Sequence, residues 1–370
     1  MKLVQCNRCL MDETAEAFTL MKTGFCNYCT DFLDTVNDLD NLQGPYFSSD
    51  QHSKLIEKVK KTGIGKEYDC VVGVSGGVDS SYVLHRCLEL GLRPLAVHMD
   101  NGWDAEAAQF NIEMLLRNTA VPLETYVIDW EVYKAMMQKF FDSDVVDVEL
   151  LYDNAAIAVQ YYYARKYNIK YIFSGSNKAT EGIKIPNNWN WFKLDRLNIA
   201  SIARGVQRKN FPTIGVFKYI YYTKICRIET VDYLDYIKYN KESSLNLLEK
   251  IYAYKRYPYK HYESVFTRLY QGYLLPKKFQ IDKRKVHLST LILTRQLTRK
   301  EALLKVSEDP YQDPDTLRLD IKFFMSKMGW SETDLQNYLL RPSKSHTCFR
   351  SEKKILDLML YVNSIIRKVI

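Results

Sequence analysis

The residues with the clearest chemical potential lie in the stretch VVGVSGGVDSSYVLHRCLEL, residues 71–90. An apolar run ends at Val74, a glycine-rich turn follows, and an amphipathic segment begins at once. Backbone N–H groups at a helix N-terminus attract anions, and glycines let a ligand approach the backbone closely. Serine hydroxyls add further donors. We therefore predict a phosphate-binding turn formed by Ser75, Gly76, Gly77, Val78, Asp79, Ser80 and Ser81.

A second group of chemically informative residues is found near the start of the sequence. Four of the eight cysteines lie in the first 29 residues, with the spacing C-x₂-C-x₁₆-C-x₂-C. This spacing is typical of four-thiolate zinc sites. Disulfides are the alternative, but they are rare in a reducing cytosol. Because four thiolates leave no open coordination position, we expect a structural Zn²⁺ bound by Cys6, Cys9, Cys26 and Cys29.

Composition restricts the class of protein that must position these residues. The 370 residues are enough for two or three domains, and 46% hydrophobic with 26% charged residues is ordinary for a globular protein. No apolar run is long enough to span a membrane, and the start MKLVQCNRC lacks the apolar segment of a secretory signal. We expect a cytoplasmic protein with no membrane association. The net charge of +8 suits anionic ligands but is too modest to favour nucleic acid.

The order of predicted elements indicates the fold. Strands are predicted at 68–74, 95–99, 124–128 and 171–173, and helices at 80–90, 105–117 and 155–167. This alternation predicts an α/β fold with a doubly wound parallel sheet and ligands at the carboxyl ends of the strands. Residues after about 215 form long Tyr-, Lys- and Leu-rich segments, which we interpret as mainly helical. The predicted domains are 1–45 (zinc ribbon and linker), 46–215 (ATP-binding) and 216–370 (mainly helical, binding substrate or partner).

The turn at 75–81 does not match the Walker A pattern, which requires G-x₄-G-K-[ST]. It resembles instead the PP-loop of the ATP pyrophosphatase superfamily, SGGxDS. That resemblance implies a PP-loop ATP pyrophosphatase fold, with ATP cleaved between its α- and β-phosphates.

Two further stretches support the resemblance. Residues 96–102 end the second predicted strand, where such enzymes bind adenosine, and this implies contacts from Met99 and Asp100. His98 in the same strand is better explained as a packed residue than as a catalytic one. Residues 174–181, SGSNKATE, are similar to the GTxNKxE stretch of NAD synthetases, which adds Gly175 to the ATP site.

The same resemblance implies a metal site beside the phosphates. By motif position, Asp79 and Glu181 would hold Mg²⁺, a hard ion that prefers carboxylate, phosphate and water oxygens. Lys178 is assigned a catalytic role with them, although an exposed lysine at a helix end explains it equally well.

A closer resemblance covers nearly the whole sequence. The cysteine pairs, the PP-loop and the segments 260–268, 275–279, 282–289 and 296–303 together resemble the N-acetyl sugar amidotransferase family of O-antigen and nonulosonic acid biosynthesis. Those segments are rich in Lys, Arg and His with interspersed aromatic residues, and could bind a nucleotide-linked sugar. A solvated basic helix face, with hydrogen-bonded core histidines, is the alternative. The resemblance assigns His287 to catalysis and the following residues to substrate binding: Lys260, His261, Arg268, Lys283 and Arg284.

The resemblance implies a specific reaction. ATP adenylates the carbonyl oxygen of an acetamido group on a surface-polysaccharide sugar, and ammonia then displaces AMP to leave an acetamidino group. The sequence shows no glutaminase nucleophile, so we expect ammonia from a partner resembling the glutaminase subunit of imidazole glycerol phosphate synthase, with or without that enzyme's barrel-like companion.

Two other functions fit part of the sequence. PP-loop enzymes of tRNA thiolation also carry cysteine ribbons, but they commonly use further core cysteines, and no cysteine pair follows Cys29. A non-catalytic scaffold with an ATP fold is the second alternative. Retention of both Asp79 and Glu181 argues against it.

Overall fold

The computed structural model describes residues 4–36, 41–257, 262–311 and 313–358. Five strands form one sheet in which every neighbouring pair is parallel. The strands are β1 (Cys70–Gly73), β2 (Pro94–Asp100), β3 (Leu123–Val127), β4 (Tyr171–Ser174) and β5 (Glu229–Asp232). Their spatial order is β3-β2-β1-β4-β5, so the chain moves outward from β1 in one direction and then in the other.

Helices connect the strands and make up most of the remaining ordered structure. The first nine α-helices are α1 (Asn27–Asp34), α2 (Ser49–Gly63), α3 (Val78–Glu89), α4 (Glu106–Thr119), α5 (Trp130–Asp142), α6 (Leu150–Lys166), α7 (Lys178–Glu181), α8 (Arg196–Ile202) and α9 (Val216–Ile220). Those beyond β5 are α10 (Lys241–Tyr252), α11 (Val265–Leu269), α12 (Arg284–Leu293), α13 (Arg299–Ser307), α14 (Pro314–Met328) and α15 (Glu332–Leu340). A π-helix, Tyr270–Phe279, continues directly from α11.

The central strands are buried on both faces because successive side chains point to opposite sides of the sheet. Val71 of β1 packs with α5 and α6 in one core, whereas its neighbours Cys70 and Val72 pack with α2, α3 and α10 in another. Continuous apolar strands with helices on both faces are typical of a doubly wound sheet. The predicted α/β fold with a doubly wound parallel sheet is confirmed.

The prediction of a helical C-terminal region is also confirmed, with one difference at its start. Strand β5 lies beyond the expected boundary at residue 215, so the sheet takes its last strand from the segment predicted as helical. The sequence ETVD has only Val231 buried and forms the edge of the sheet. A four-residue, mostly polar edge strand lacks the apolar run by which the other strands are recognised.

The N-terminal ribbon packs closely against the C-terminal helices. Its cysteines share a third core with Ile183, which follows α7, and with Val286 and Leu293 of α12. The Leu10 N–H donates to the Ser289 hydroxyl at 2.9 Å. The ribbon therefore joins α7, which follows β4, to α12 of the C-terminal region. Among the described helices, none combines the length and apolar character that a membrane crossing requires.

Candidate active site

The glycine-rich turn lies at the carboxyl end of β1, directly before α3. Gly76 adopts a φ of +77°, and a Cβ there would lie 2.7 Å from the Ala108 carbonyl oxygen, so only glycine fits. The Gly76 carbonyl accepts hydrogen bonds from the hydroxyls of Tyr254 (2.9 Å) and Tyr257 (3.1 Å) and from the amide of Asn111 (3.3 Å). These contacts fix the backbone of the turn from α4 and from the segment after α10.

The start of α3 is open to an anion. Its N-cap is Gly77, which provides no side-chain acceptor for the N–H groups of the first turn. The Ser75 hydroxyl accepts from the Gly77 N–H at 3.2 Å and lies 3.4 Å from the Ser80 hydroxyl. Serine hydroxyls and uncapped N–H groups therefore face the same small space, the arrangement that phosphate oxygens need.

This space is a cavity of about 180 Å³, which we call the phosphate cavity. Asp79, Glu181 and Glu263 contribute three carboxylates to its lining. Gly175 packs so tightly on α3 that a Cβ there would lie 3.0 Å from the Ser80 nitrogen. That close approach brings the turn after β4 against the turn after β1. Other predicted residues that line the cavity are Ser75, Gly77, Ser80 and Gly175.

The carboxylates of the phosphate cavity have buried polar neighbours. The buried Tyr239 hydroxyl donates to Asp79, and burial together with that carboxylate holds the pKa of Tyr239 well above its usual range. Nearby, burial raises the pKa of Asp235 to about 6, despite a hydrogen bond from the Lys178 backbone N–H. Asp79 and Glu181, lining one cavity beside uncapped N–H groups, provide the hard oxygen ligands that fit Mg²⁺ bound to phosphate.

Four predicted ATP contacts do not line the phosphate cavity among the described residues. Ser81 is buried within α3, with 1% of its surface exposed, and Met99 belongs to the core beneath β2. The Asp100 carboxylate accepts from the Gly102 N–H at 2.8 Å and stabilises the turn after β2. Gly76 contributes its backbone conformation and the carbonyl that anchors the turn.

His98 is held in place, in agreement with its interpretation as a packed residue. One ring nitrogen lies 2.9 Å from the Val74 carbonyl and the other 2.9 Å from Asp104. Burial lowers the pKa of His98, but the hydrogen bond and charge of Asp104 outweigh it, and the net pKa is raised. His98 thus supports the residue that precedes the glycine-rich turn.

The Lys178 side chain lies outside the lining of the phosphate cavity. Its ammonium lies 5.2 Å from the centre of the Tyr46 ring, a cation–π contact, and the residue is not part of the cavity lining. Lys241, at the start of α10, lines the cavity instead. Because it follows a polar N-cap and carries no motif, sequence reasoning missed it.

A second cavity, of about 400 Å³, adjoins the first, and we call it the acceptor cavity. Lys241, Leu245 and Tyr257 line both cavities. Three residues predicted from the C-terminal block also line the acceptor cavity: Lys283, Arg284 and His287. The fold therefore brings this part of the block beside the glycine-rich turn.

The two predicted cations of the acceptor cavity, Lys283 and Arg284, are already engaged by the protein. Lys283 donates to Glu149 at 2.8 Å. Arg284 pairs with Asp282 at 2.8 Å and also donates to carbonyls at the end of α13. Arg268 lies elsewhere, in a two-pronged salt bridge with Asp320 of α14 (both contacts 2.6 Å). Lys260 and His261 lie outside the described residues.

Glu263 is the main site residue that sequence reasoning did not single out. The backbone at Asp104 and Ser264 forms a β-bridge, and the Ala105 N–H donates to the Glu263 carbonyl at 2.9 Å. This pairing holds the segment around Glu263 and Ser264 against the turn after β2. A Cβ on Gly77 would lie 3.5 Å from the Glu263 carboxylate. No local pattern marks the residue, because its position depends on contact between distant segments.

The four cysteines of the ribbon form a candidate metal centre. All four thiols are free and buried, and their sulfurs lie within 4.8 Å of one another, so they are not disulfide-bonded. The Cys6–Cys29 and Cys9–Cys26 sulfur distances are 3.8 and 3.6 Å, close to the roughly 3.8 Å expected around tetrahedral zinc with Zn–S bonds of about 2.3 Å. The N–H groups of Arg8 and Cys26 point at the Cys6 sulfur (3.3 and 3.2 Å), which favours the thiolate. The cluster fits Zn²⁺ with no position left for substrate.

Comparison with protein families gives two matches on different parts of the chain. Residues 48–183 match NAD synthase, and residues 263–363 match the C-terminal domain described as LPS biosynthesis protein WbpG-like. The first match contains the glycine-rich turn, and the second contains part of the wall of the acceptor cavity, including Lys283, Arg284 and His287. A search of curated proteins found no match.

Solved structures with similarity to the chain include three synthetases. The NMN synthetase from Francisella tularensis is 14% identical over 57% of this chain and 89% of its own, with a TM-score of 0.30. The NH3-dependent NAD synthetase from Campylobacter jejuni is 17% identical over 58% and 84%, with a TM-score of 0.28. The glutamine-dependent NAD+ synthetase from Acinetobacter baumannii is 13% identical over 69% and 43%, with a TM-score of 0.32.

Proposed function

We propose that this chain is an AMP-forming sugar amidotransferase. It combines a segment that matches NAD synthase and contains the PP-loop with a segment that matches the WbpG-like domain of LPS biosynthesis. This pairing is consistent with a PP-loop amidotransferase family of LPS biosynthesis. Its substrate is an acetamido group on a sugar of a surface polysaccharide. Nucleotide-linked N-acetyl sugars are the most direct compounds with which to test this. Its product is the corresponding acetamidino group.

The observation that carries this proposal is the shared wall of the two cavities. The phosphate cavity is built mainly by the turns after β1 and β4, and the acceptor cavity mainly by the C-terminal helices. Lys241, Leu245 and Tyr257 line both. An enzyme that adenylates a second substrate needs its acceptor oxygen beside the α-phosphate of ATP. Two adjoining cavities that share a wall, one of them suited to phosphate, meet that need.

In the first step, the acetamido oxygen attacks the α-phosphorus of ATP and the bond to the β-phosphate oxygen breaks. The N–H groups and hydroxyls around Ser75 and Ser80 hold the pyrophosphate that leaves. Magnesium held by Asp79 and Glu181 would neutralise charge on the phosphates. Lys241, on the opposite wall, supplies a further positive charge where the two cavities meet.

In the second step, ammonia attacks the carbon of the adenylated amide and AMP leaves. The carbon–oxygen bond breaks with its electron pair on the AMP phosphate, and the new amidine keeps a proton at neutral pH. Water must be excluded while the adenylate waits, because hydrolysis would restore the amide. A glutaminase docked on this chain would deliver ammonia without exposing the intermediate, and we propose such a partner, with or without a barrel-like companion.

The decisive experiment is to incubate the chain with ATP, Mg²⁺, ammonium chloride and a panel of nucleotide-linked N-acetyl sugars. We expect AMP and pyrophosphate, together with a sugar product lighter by about one mass unit that carries a basic group. Glutamine should replace ammonium only after the glutaminase is added. ADP as the main nucleotide product, or a requirement for a sulfur carrier, would rule out this function.

A further inference from the structure

The chain reverses direction directly after α12, and this turn places Gln296 beside α7. Arg295 adopts a left-handed conformation, with a φ of +57°. The backbone N–H groups of Gln296 and Leu297 then both donate to the Leu291 carbonyl, at 2.9 and 3.1 Å. A left-handed residue followed by such hydrogen bonds is a common way to end a helix. The turn therefore fixes the point from which the Gln296 side chain extends.

The Gln296 amide is anchored on α7, the short helix that ends in Glu181. Its Nε2 donates to the Ala179 carbonyl at 2.8 Å and to the Thr294 hydroxyl at 3.1 Å. The Thr294 hydroxyl also donates to the Ala179 carbonyl, at 3.0 Å. Because a carbonyl oxygen can only accept hydrogen bonds, the amide nitrogen must face Ala179. The amide oxygen of Gln296, Oε1, therefore faces away from α7.

This amide oxygen is open to the acceptor cavity. Gln296 lines that cavity and is half-buried. Within the part of the chain that the structure describes, Oε1 accepts no hydrogen bond, and it is not buried. The cations Lys283 and Arg284 of the same cavity are, by contrast, paired with carboxylates. Gln296 thus presents a neutral acceptor, held in a fixed direction, to an N–H or O–H donor of a ligand.

Apolar side chains line the cavity together with Gln296. Leu288, Leu291 and Leu297 come from α12 and the turn after it. Leu245 lines the acceptor cavity too, and extends to the phosphate cavity. An acetamido group combines one N–H donor, one carbonyl oxygen and one methyl group. Its N–H suits the amide oxygen of Gln296, and its methyl group suits the leucines.

Helix α7 links this part of the acceptor cavity to the phosphate cavity. Thr180 lines the acceptor cavity, and the next residue, Glu181, lines the phosphate cavity. Gln296 is bonded to Ala179, the residue before Thr180. The N–H and C=O bonds of a trans amide point in opposite directions. An amide held through its N–H therefore presents its carbonyl oxygen away from Gln296.

We propose that Gln296 recognises the acetamido group of the substrate by accepting its N–H at Oε1. The role of this contact in adenylation rests on the function proposed above, whereas the binding itself does not. Because Gln296 holds the amide by its nitrogen, the amide oxygen remains available to attack the α-phosphorus. A sugar hydroxyl can also donate to Oε1, but it has no methyl group to lie against the leucines. The site therefore selects an acetamido group over a hydroxyl.

Recognition can be tested without turnover. Binding of UDP-N-acetylglucosamine and of UDP-glucose, which carry an acetamido or a hydroxyl group at the same carbon, is measured by calorimetry in the absence of ATP. We expect the native chain to bind the N-acetyl sugar about tenfold more tightly, because it gains an oriented hydrogen bond and buries a methyl group. Equal affinity for the two sugars, or binding of neither, would overturn the proposal.

Two variants that each remove a hydrogen bond to the Ala179 carbonyl separate recognition from support of α7. Gln296→Met also removes Oε1 from the cavity, so the preference for the N-acetyl sugar should fall at least about threefold. Thr294→Val should keep the preference, because Thr294 is not among the described residues that line the acceptor cavity. An unchanged preference in Gln296→Met, or an equal loss in both variants, would refute the proposal.

In the amidination assay, Gln296→Met should raise the KM for the sugar about fivefold and leave the KM for ATP within about twofold. A preference for the N-acetyl sugar without any AMP or amidine product would refute the proposed function but not the role of Gln296. Amidine formation with an unchanged KM for the sugar in Gln296→Met would refute the role of Gln296 alone.

Discussion

The phosphate cavity and the wall of the acceptor cavity use their polar residues in different ways. In the phosphate cavity, Ser75, Asp79 and Ser80 come from one continuous turn and face a common space. In the C-terminal helices, cations predicted for substrate binding are paired with carboxylates: Arg268 with Asp320, Lys283 with Glu149, and Arg284 with Asp282. A contiguous motif carries its own geometry, whereas scattered cations are as readily used to hold helices together.

The largest effect should come from disturbing both regions at once through the ribbon. Cys26→Ser removes one zinc ligand. The ribbon packs on α12 and on the loop after Glu181. The second contact is tight, since a Cβ on Gly182 would lie 2.0 Å from the Phe32 ring. Since zinc-binding energy in such ribbons is folding energy, of about 10–16 kcal/mol in isolated fingers, we expect a fall in melting temperature of about 10 °C or more.

Metal analysis and thermal unfolding check this prediction. The native chain should contain one zinc, and Cys348→Ser, at an exposed thiol outside the ribbon, is the matched control. Full zinc content in Cys26→Ser, or iron in the native chain, would contradict it.

The next effect isolates the phosphate cavity. Asp79→Asn keeps the shape of the side chain but removes its charge, so AMP formation should fall by at least about 100-fold, equivalent to about 3 kcal/mol. The melting temperature should change little. Asp142→Asn serves as control, and a rate within threefold of the native value would show that Asp79 does not serve the phosphates.

The third prediction addresses the C-terminal cations. Arg268→Met leaves the buried Asp320 without its guanidinium partner, so the free energy of unfolding in urea should fall by about 3–5 kcal/mol. The KM for the sugar should stay within twofold. Adding Asp320→Asn should recover part of the stability. A tenfold rise in KM with unchanged stability would return Arg268 to substrate binding.

The fourth prediction concerns pH. Burial lowers the pKa of His346 to about 4, and its Nε2 accepts from the Asp147 N–H at 3.2 Å. Because the unfolded chain binds this proton more readily, His346 lowers stability as pH falls from about 6.5 to 4, by about 3 kcal/mol in all.

Stability against pH should therefore differ between the native chain and His346→Gln. As pH falls from about 6.5 to 4, the free energy of unfolding of the native chain should fall by about 3 kcal/mol relative to that of His346→Gln. The buried Asp235, with its pKa raised to about 6, opposes this trend in both proteins and cancels in the difference. A difference independent of pH would mean that His346 titrates normally.

The smallest expected effect refines the description of the phosphate cavity. Tyr239→Phe removes the hydroxyl that donates to Asp79, which should lower turnover about fivefold, equivalent to about 1 kcal/mol. Tyr236→Phe, at a tyrosine stacked on Phe47, is the control. Equal turnover in the two variants would show that Asp79 is positioned without this hydrogen bond.

Parts of the fold and site could be predicted because their signals are local. Apolar runs such as CVV in β1 and the glycine-rich turn after it depend on neighbours in sequence, and they were recognised with strand ends within about two residues. The ribbon cysteines were equally clear, since their spacing alone allows four sulfurs to converge. The polar strand β5 was missed, because its place at the sheet edge depends on pairing with β4.

Lys178 and Arg268 show the limit of motif reasoning. Both were assigned to function by position in a segment, and in the structure their side chains contact protein groups, Tyr46 and Asp320. Nothing in the order of residues distinguishes a cation that meets a ligand from one that meets a distant carboxylate or ring.

The sequence by itself determined the α/β fold, the glycine-rich turn between β1 and α3, and the four-thiol cluster, because short-range geometry is enough to form each of them. Only the tertiary structure decided that Glu263 and Lys241 line the phosphate cavity and that the two cavities adjoin. It also decided that Lys193 pairs with Asp147 and Asp153, and that Lys283 pairs with Glu149. The paired groups are 40 to 134 residues apart in sequence, and only the packing of distant segments brings them together.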